Sequence, residues 1–283
     1  MLINLTCVQK KVGSNSIDEA IEYLEALIVS LSYAENRIVL LPEVWVSGFD
    51  RDKLFYFAKK SDELLDKLKI LSNKTLVNIA GTIPMFANVN SKKLYNSFIF
   101  FSSQGKLVAN YRKIHLFPLT AEQKYFLSGE KPVTLVLNGI KIGFATCYDI
   151  RFPELFRYYA LHDVDMVLVA ACFPEPKLND WKILLQARAI ENQIFISAVN
   201  GVGEETVDAK KLVYFGHSMV VSPNGKILVE LNKNETTSTV LIDTNEIVQA
   251  RSRINFLDDI VDDYSIRKKR DNLYLSSKDR LPS

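Results

Sequence analysis

The chain has 283 residues, of which 48% are hydrophobic and 24% are charged, and its formal net charge at pH 7 is only +2. This length suits one large domain or two small ones, and the hydrophobic content is sufficient for a substantial core. The small net charge gives no electrostatic reason to expect a nucleic acid or an anionic membrane as a partner.

The cysteines and the N-terminus indicate a compartment. The three cysteines are Cys7, Cys147 and Cys172, an odd number with no close pair, so neither a disulfide framework nor a metal site is expected. The N-terminus lacks the basic start and long apolar core of a signal peptide, and no run approaches the ~18 apolar residues of a membrane span. We therefore expect a cytoplasmic protein that makes no membrane contact.

Strands and helices are predicted to alternate along the chain, and the pattern is read from hydrophobic periodicity, caps and turns. The first half predicts strands at 1–9, 37–41, 76–82, 94–101 and 106–111, and helices at 16–34 and 61–69. The second half predicts helices from 153 and over 180–192, and strands at 133–137, 140–145, 166–170, 194–199, 213–222, 226–231 and 239–242. This alternation predicts an α/β fold with helices packed on sheets. No linker divides the chain, so we expect one domain over 1–261 and a charged, solvated tail over 262–283.

Cys147 stands where a predicted strand gives way to a predicted helix. It follows the apolar run 140–145, and Pro153 suits the first turn of a helix. A cysteine held rigidly at such a junction can act as a covalent nucleophile, because a nearby cation or helix N-terminus favours its thiolate. The alternative is a buried cysteine that only fills core space.

Two other ionisable residues also follow predicted strands. Glu43 comes directly after Leu41 and Pro42, and Lys113 ends the strand of the hairpin that precedes it. Taken singly, each is also compatible with a solvated charge at a strand end. Together with Cys147 they would supply a nucleophile, a base and a cation for an oxyanion, and we expect them to converge on one edge of a sheet.

Three motifs carry a family resemblance. Residues 41–43 read LPE with GF at 48–49, residues 111–117 read YRKIHLF, and residues 147–154 read CYDIRFPE. In this order they resemble the nitrilase or carbon–nitrogen hydrolase superfamily, amidase branch, over roughly residues 1 to 255. The resemblance implies a single-domain, four-layer α-β-β-α sandwich that pairs through its helices into homodimers or larger homo-oligomers.

The resemblance also implies roles for individual residues. Cys147 matches the nucleophile, Glu43 the general base and acid, and Lys113 the cation that stabilises the tetrahedral intermediate. Glu122, within the segment EQKYFLSG at 122–129, matches a second glutamate that orients the substrate and the lysine. The backbone N–H of Tyr148 is the expected second donor to the oxyanion. This chemistry requires neither a metal nor an organic cofactor.

The substrate implied by the resemblance is a small amide. The segment after Cys147 is most similar to amidases acting on ω-amides of keto or dicarboxylic acids, or on deaminated glutathione. Arg151 matches a position that can bind a substrate carboxylate with its planar fork. The alternative for Arg151 is a structural ion pair with Asp149 or Glu154.

Other functions stay open on the sequence alone. Related branches hydrolyse N-carbamoyl amino acids, and a non-catalytic binding or scaffold subunit could keep the same fold. The flank of Cys147 favours an amidase over a nitrile-hydrolysing enzyme. Residues 171–176 read ACFPEP, whereas many ω-amidases carry Asn-Pro in this loop, and this departure bears on substrate choice.

Overall fold

Two six-stranded sheets form the centre of the molecule. The computed structural model describes residues 1–88, 90–118, 122–207 and 209–260, so the predicted tail at 262–283 lies outside the described residues. The first sheet contains β1 (Leu2–Gln9), β2 (Arg37–Leu40), β3 (Asn78–Phe86), β4 (Leu94–Phe101), β5 (Leu107–Arg112) and β14 (Thr236–Asp243). Its spatial order is β14-β1-β2-β3-β4-β5, with β1, β2 and β3 parallel and the outer pairings antiparallel.

The second sheet repeats this arrangement. It contains β6 (Thr134–Leu137), β7 (Ile140–Thr146), β8 (Met166–Ala171), β9 (Phe195–Asn200), β12 (Met219–Val221) and β13 (Ile227–Glu230). The order is β13-β12-β9-β8-β7-β6, and β7, β8 and β9 are parallel. A separate hairpin pairs β10 (Val202–Val207) with β11 (Lys210–Phe215).

Helices flank both sheets. They are α1 (Ile17–Ser30), α2 (Arg51–Lys59), α3 (Ser61–Thr75), α4 (Glu122–Tyr125), α5 (Pro153–Leu161), α6 (Leu178–Asn192) and α7 (Asn245–Arg253). The predicted start of α1 is confirmed, since the Ser16 side chain accepts a hydrogen bond from the Glu19 N–H at 3.1 Å. Within the described residues, no helix combines the length and apolar character needed to cross a bilayer.

Three apolar clusters define four layers. Residues such as Phe98 and Phe144 pack between the two sheets. Leu24 of α1 and Leu68 of α3 pack on the outer face of the first sheet. Phe156 of α5 and Trp181 of α6 pack on the outer face of the second. Burying each such side chain stabilises the fold by about 1.5–3 kcal/mol. The predicted α-β-β-α sandwich is therefore confirmed.

Some predicted boundaries are wrong. The single strand predicted over 213–222 is broken into β11 and β12, which belong to different sheets. Gly216 has φ +71° and His217 has φ +53°, so the chain turns there and cannot continue one ladder. Helix α3 continues to Thr75 because Leu71 extends the buried stripe of Leu64 and Leu68.

Candidate active site

Residues that follow strands of both sheets, Glu43, Lys113 and Cys147, come together in one site. Glu43 follows β2 and Lys113 follows β5, both in the first sheet, whereas Cys147 follows β7 in the second. The expectation that all three would share the edge of one sheet is therefore wrong. The three side chains are nonetheless close together, since Glu43 and Lys113 both affect the pKa of the Cys147 thiol.

A buried lysine joins two buried carboxylates. Lys113 Nζ donates to Glu43 Oε1 and to Glu122 Oε1, both at 2.8 Å, and none of the three side chains is more than 2% exposed. Burial opposes the charged form of Lys113, but Glu122 and Glu43 outweigh it and raise its pKa well above the usual value. Burial raises the pKa of Glu122 to about 7, with Lys113 opposing and Glu43 reinforcing this shift. The lysine is thus an ammonium, and Glu122 exchanges its proton near neutral pH.

Glu43 is held by three donors. Its Oε1 accepts from Lys113 Nζ and from Asn96 Nδ2, each at 2.8 Å, and its Oε2 accepts from the Cys172 N–H at 2.9 Å. A carboxylate has about four lone-pair sites. Among the hydrogen bonds of the described residues, these three leave one site on Oε2. Glu43 is therefore fixed in orientation and keeps the capacity to accept one proton.

Cys147 begins a short 3₁₀ helix, Cys147–Arg151, with an unusual backbone conformation. Its φ is +46°, a region that side chains other than glycine seldom adopt and that recurs at functional sites. The Asp149 carboxylate accepts from the Thr146 N–H at 2.8 Å and supports the turn. Burial, followed by Glu43, raises the pKa of the Cys147 thiol well above its usual value, although Lys113 opposes the shift. The resting group is therefore a thiol, so attack requires a base to remove its proton.

Asp149 links the lysine loop to the cysteine turn. One carboxylate oxygen accepts from Tyr111 Oη at 2.7 Å, and the other accepts from the His115 N–H at 3.0 Å and lies 2.7 Å from His115 Nδ1. The His115 ring stacks on Phe152, with centroids 3.6 Å apart. Asp149 is fully buried, so breaking these contacts would strand a charge in the core. The network holds Lys113 and Cys147 in register across the two sheets.

A cavity of about 410 Å³ opens above Cys147. Its walls are mainly aromatic and apolar, and two cationic side chains also line it. These lining residues include Phe117, Tyr148, Phe173, Arg151 and Lys177. As the second residue of the 3₁₀ helix, Tyr148 has a backbone N–H without an intrahelical acceptor. Among the described residues, no group of three or more His, Cys, Asp or Glu side chains could hold a metal ion.

Arg151 has a different partner from those expected. Its Nη2 donates to Asp180 Oδ2 at 2.9 Å, and its guanidinium carbon lies 5.5 Å from the centroid of the Phe173 ring. The alternative considered for Arg151, a structural ion pair, is present, but its partner is Asp180 rather than Asp149 or Glu154. Asp149 is instead occupied by Tyr111 and His115. Arg151 lines the cavity, and its binding of a substrate carboxylate stays a prediction.

Sequence reasoning assigned no role to two asparagines that position this site. Asn96 donates to Glu43. Asn200 accepts from the Phe173 N–H at 2.6 Å and donates to the Phe173 carbonyl at 3.2 Å, so it clamps the loop that carries the Cys172 N–H. Both amides are buried. A polar amide inside or directly after an apolar strand run is the signal that could have identified them.

Comparison with known proteins places the fold and the site in one family. A model of the carbon–nitrogen hydrolase family matches residues 4–252. The chain is 32% identical over 265 residues to 2-oxoglutaramate amidase from Bacillus subtilis, a match covering 90% of this chain and 96% of that protein. It is 32% identical over 241 residues to deaminated glutathione amidase from Dictyostelium discoideum, covering 78% and 81%.

A solved structure gives the same result. A CN-hydrolase superfamily protein from Xanthomonas campestris superposes with a TM-score of 0.82 at 26% identity, covering 92% of this chain and 98% of that one. The family match spans the strands, helices and loops that carry Glu43, Lys113, Glu122 and Cys147. This chain belongs to the carbon–nitrogen hydrolase family, whose amidase members it resembles, and is a hydrolase of carbon–nitrogen bonds other than peptide bonds.

Proposed function

We propose that this chain hydrolyses the ω-amide of a small keto or dicarboxylic acid to a carboxylate and ammonia through a thioester on Cys147. The observation that carries the proposal is the buried network of Glu43, Lys113 and Glu122 beside Cys147. Cys147 lines a cavity that Arg151 also lines. Such a site combines a nucleophile, a base and an oxyanion stabiliser.

The first half of the reaction forms the thioester. The free lone pair on Glu43 Oε2 takes the thiol proton as sulfur bonds to the amide carbon, and the carbonyl electron pair moves to oxygen. The Lys113 ammonium and the Tyr148 N–H stabilise the resulting oxyanion. Losing one such donor typically lowers kcat by about 10²–10³-fold. The raised pKa of Lys113 keeps this cation charged throughout the neutral pH range.

The second half releases both products. The carbon–nitrogen bond breaks, and the leaving nitrogen takes the proton from Glu43 and departs as ammonia. Glu43 then accepts a proton from water, which attacks the thioester carbon. The carbon–sulfur bond breaks, Glu43 returns its proton to the sulfur to restore the thiol, and the acid product leaves. Glu122 takes no part in bond making, and its role is to hold Lys113.

Two lines of support favour an acid amide as the substrate. Relatives that match over most of the chain are named for 2-oxoglutaramate and for deaminated glutathione, both of which carry carboxylates. The cavity offers Arg151, whose planar fork suits a carboxylate. N-carbamoyl amino acids also carry a carboxylate, so a direct comparison of substrates is needed.

Ammonia release from four compounds tests the substrate. They are 2-oxoglutaramate, deaminated glutathione, N-carbamoyl-β-alanine and a simple aliphatic nitrile. We expect the highest kcat/KM with 2-oxoglutaramate or a related ω-amide. Preferential release from the carbamoyl compound would replace the acid-amide proposal with carbamoyl hydrolysis. A failure to release ammonia from any amide would contradict the proposed activity.

Cys147→Ala tests the covalent step. We expect turnover to be abolished, because no other group can form the acyl bond, and mass spectrometry should find the acyl adduct of the wild type on Cys147. Cys172→Ala is the matched control. It should retain most activity, since Cys172 holds the Glu43 carboxylate through its backbone N–H, which alanine keeps. Full activity in Cys147→Ala would rule out the mechanism.

A further inference from the structure

Two cationic side chains in the cavity share one carboxylate. Arg151 Nη2 lies 2.9 Å from Asp180 Oδ2, and Lys177 Nζ lies 3.7 Å from the same oxygen. The side chain of Arg151 is 31% exposed, that of Lys177 53% and that of Asp180 35%. Two cations and one carboxylate leave a single net positive charge at this end of the cavity.

Asp180 orients Arg151 without saturating it. A guanidinium has five N–H donors. In the hydrogen bonds of the described residues, Arg151 uses only its Nη2 atom. An edge of the guanidinium is thus left for a second, two-pronged contact. The hydrogen bond from Arg151 lowers the pKa of Asp180, so this carboxylate is ionised at neutral pH.

The catalytic network next to Cys147 has the opposite polarity. Beside Cys147, two carboxylates, Glu43 and Glu122, share the ammonium of Lys113. An anionic substrate group is repelled from that network and attracted to Arg151 and Lys177. An acid amide would therefore bind with its carboxylate at the cationic end and its amide over Cys147. The charge distribution thus selects the productive orientation.

We propose that Lys177 is a specificity-determining residue that binds the substrate carboxylate together with Arg151, and that Asp180 limits the strength of this attraction. The inference rests on the proposed amidase activity and adds the residues that select an acid. It also explains how the lysine and the aspartate complement each other. Lys177 adds a second positive charge beside the guanidinium of Arg151. Asp180 offsets one of these two charges, so that one net positive charge remains to attract the substrate carboxylate.

A series of charge variants tests this inference. Lys177→Gln removes one positive charge from the cluster, whereas Asp180→Asn removes the negative one and keeps an oxygen acceptor for Arg151. The probes are glutaramate, an acid with a terminal amide, and its methyl ester, a neutral amide of the same length. The measurement is the ratio of kcat/KM for ammonia release from glutaramate to that from the ester. Lys182→Gln, on α6 with Asp180 but paired with Glu230 at 2.6 Å, is the control.

The ratio of kcat/KM for the acid to that for the ester should change with the net charge of the cluster of Arg151, Lys177 and Asp180. We expect it to fall about fivefold in Lys177→Gln and to rise about fivefold in Asp180→Asn, the change typical of one unit charge a few ångströms away in a wet site. In 0.5 M NaCl both differences should shrink, because salt screens exposed charges. Lys182→Gln should keep the wild-type ratio.

The outcomes separate this inference from the proposed function. Hydrolysis of both probes with one ratio across all variants would overturn the inference and leave the amidase activity standing. A lower ratio in Asp180→Asn would overturn the role of Asp180, since it would then only orient Arg151. Failure of the wild type to release ammonia from either probe would count against the proposed function itself.

Discussion

Burial decides which protons the resting site holds. Cys147 stays a thiol because burial and Glu43 both raise its pKa, and the thiolate arises only when the base takes its proton. Lys113 stays charged because two carboxylates outweigh its burial. Each charge in this buried network has a partner of opposite sign, since Lys113 Nζ lies 2.8 Å from both Glu43 and Glu122. A single substitution in this network therefore changes the protonation of its neighbours.

We expect the ionisation of Glu122 to set the pH dependence of kcat/KM. Its pKa of about 7 predicts that kcat/KM of the wild type rises with pH through this value, as Glu122 loses its proton and holds the Lys113 ammonium as a carboxylate. In Glu122→Gln we expect much lower activity, with the acid limb of the residual activity moved to lower pH. The rate of Cys147 alkylation by iodoacetamide, followed against pH, gives the same information without turnover. An unmoved limb near pH 7 in the variant would assign the titration to another group.

The same shift has a consequence for stability. Because the folded-state pKa of about 7 lies above the ordinary value of 4.5, Glu122 contributes stability that is fully present below about pH 4.5. That contribution is lost as the pH rises to about 7. The free energy of unfolding of the wild type, from urea titrations, should fall across this window relative to that of Glu122→Gln.

At the scale of elements, the loop between β8 and α6 connects the base to the cavity wall. Cys172 in this loop holds Glu43 with its backbone, and Phe173 lies beside Arg151. Asn200, at the end of β9, fixes the loop by contacting both the N–H and the carbonyl of Phe173. Strand β9 thus helps to position Glu43 through the loop that carries Cys172.

Asn200→Ala tests this positioning role. Removing the amide leaves the Phe173 backbone groups unpaired, which we expect to cost about 1–3 kcal/mol of unfolding free energy. We also expect kcat to fall, since the Cys172 N–H would no longer be held on Glu43. Asn192→Ala is a matched control, because Asn192 is equally buried but bonds to Arg188 within α6. If the two variants lost stability and kcat in parallel, Asn200 would be structural only.

At the scale of the whole molecule, α5 and α6 expose several large apolar side chains in one outer layer. Leu161 is 53% exposed, Ile183 57% and Ile190 46%, on neighbouring helices of one outer layer. Together with the homodimer implied by the family resemblance, these side chains support pairing of two copies through α5 and α6. Such a contact would remove apolar area from water.

Light scattering coupled to size exclusion tests the assembly. We expect the wild type at about twice the chain mass of 32.2 kDa, and the double variant Leu161→Asp, Ile183→Asp nearer to one chain mass, because buried charges would oppose the contact. Val29→Asp, on α1 in the opposite layer and 72% exposed, is the control and should leave the mass unchanged. A monomeric wild type would contradict this prediction. The cytoplasmic location expected from the sequence also stays a prediction.

Local pattern was sufficient for much of this fold. Alternating apolar runs and turn residues correctly predicted β4, β5 and their connecting turn, as well as β6 and β7. These elements depend on contacts between residues close in the chain. The order of three short motifs was also sufficient to identify the family, since each one places a functional side chain directly after a strand.

The sequence by itself therefore determined the α/β class, the family, and Glu43, Lys113, Glu122 and Cys147 as candidates. Only the tertiary structure decided that they come from two sheets, that Asp180 pairs with Arg151, and that the strand predicted over 213–222 breaks. The first two of these features depend on residues far apart in the chain. Asp180 meets Arg151 across 29 positions, and Asn200 meets Phe173 across 27. Periodicity and spacing describe neighbours along the chain, whereas burial and partner choice follow from how distant elements pack.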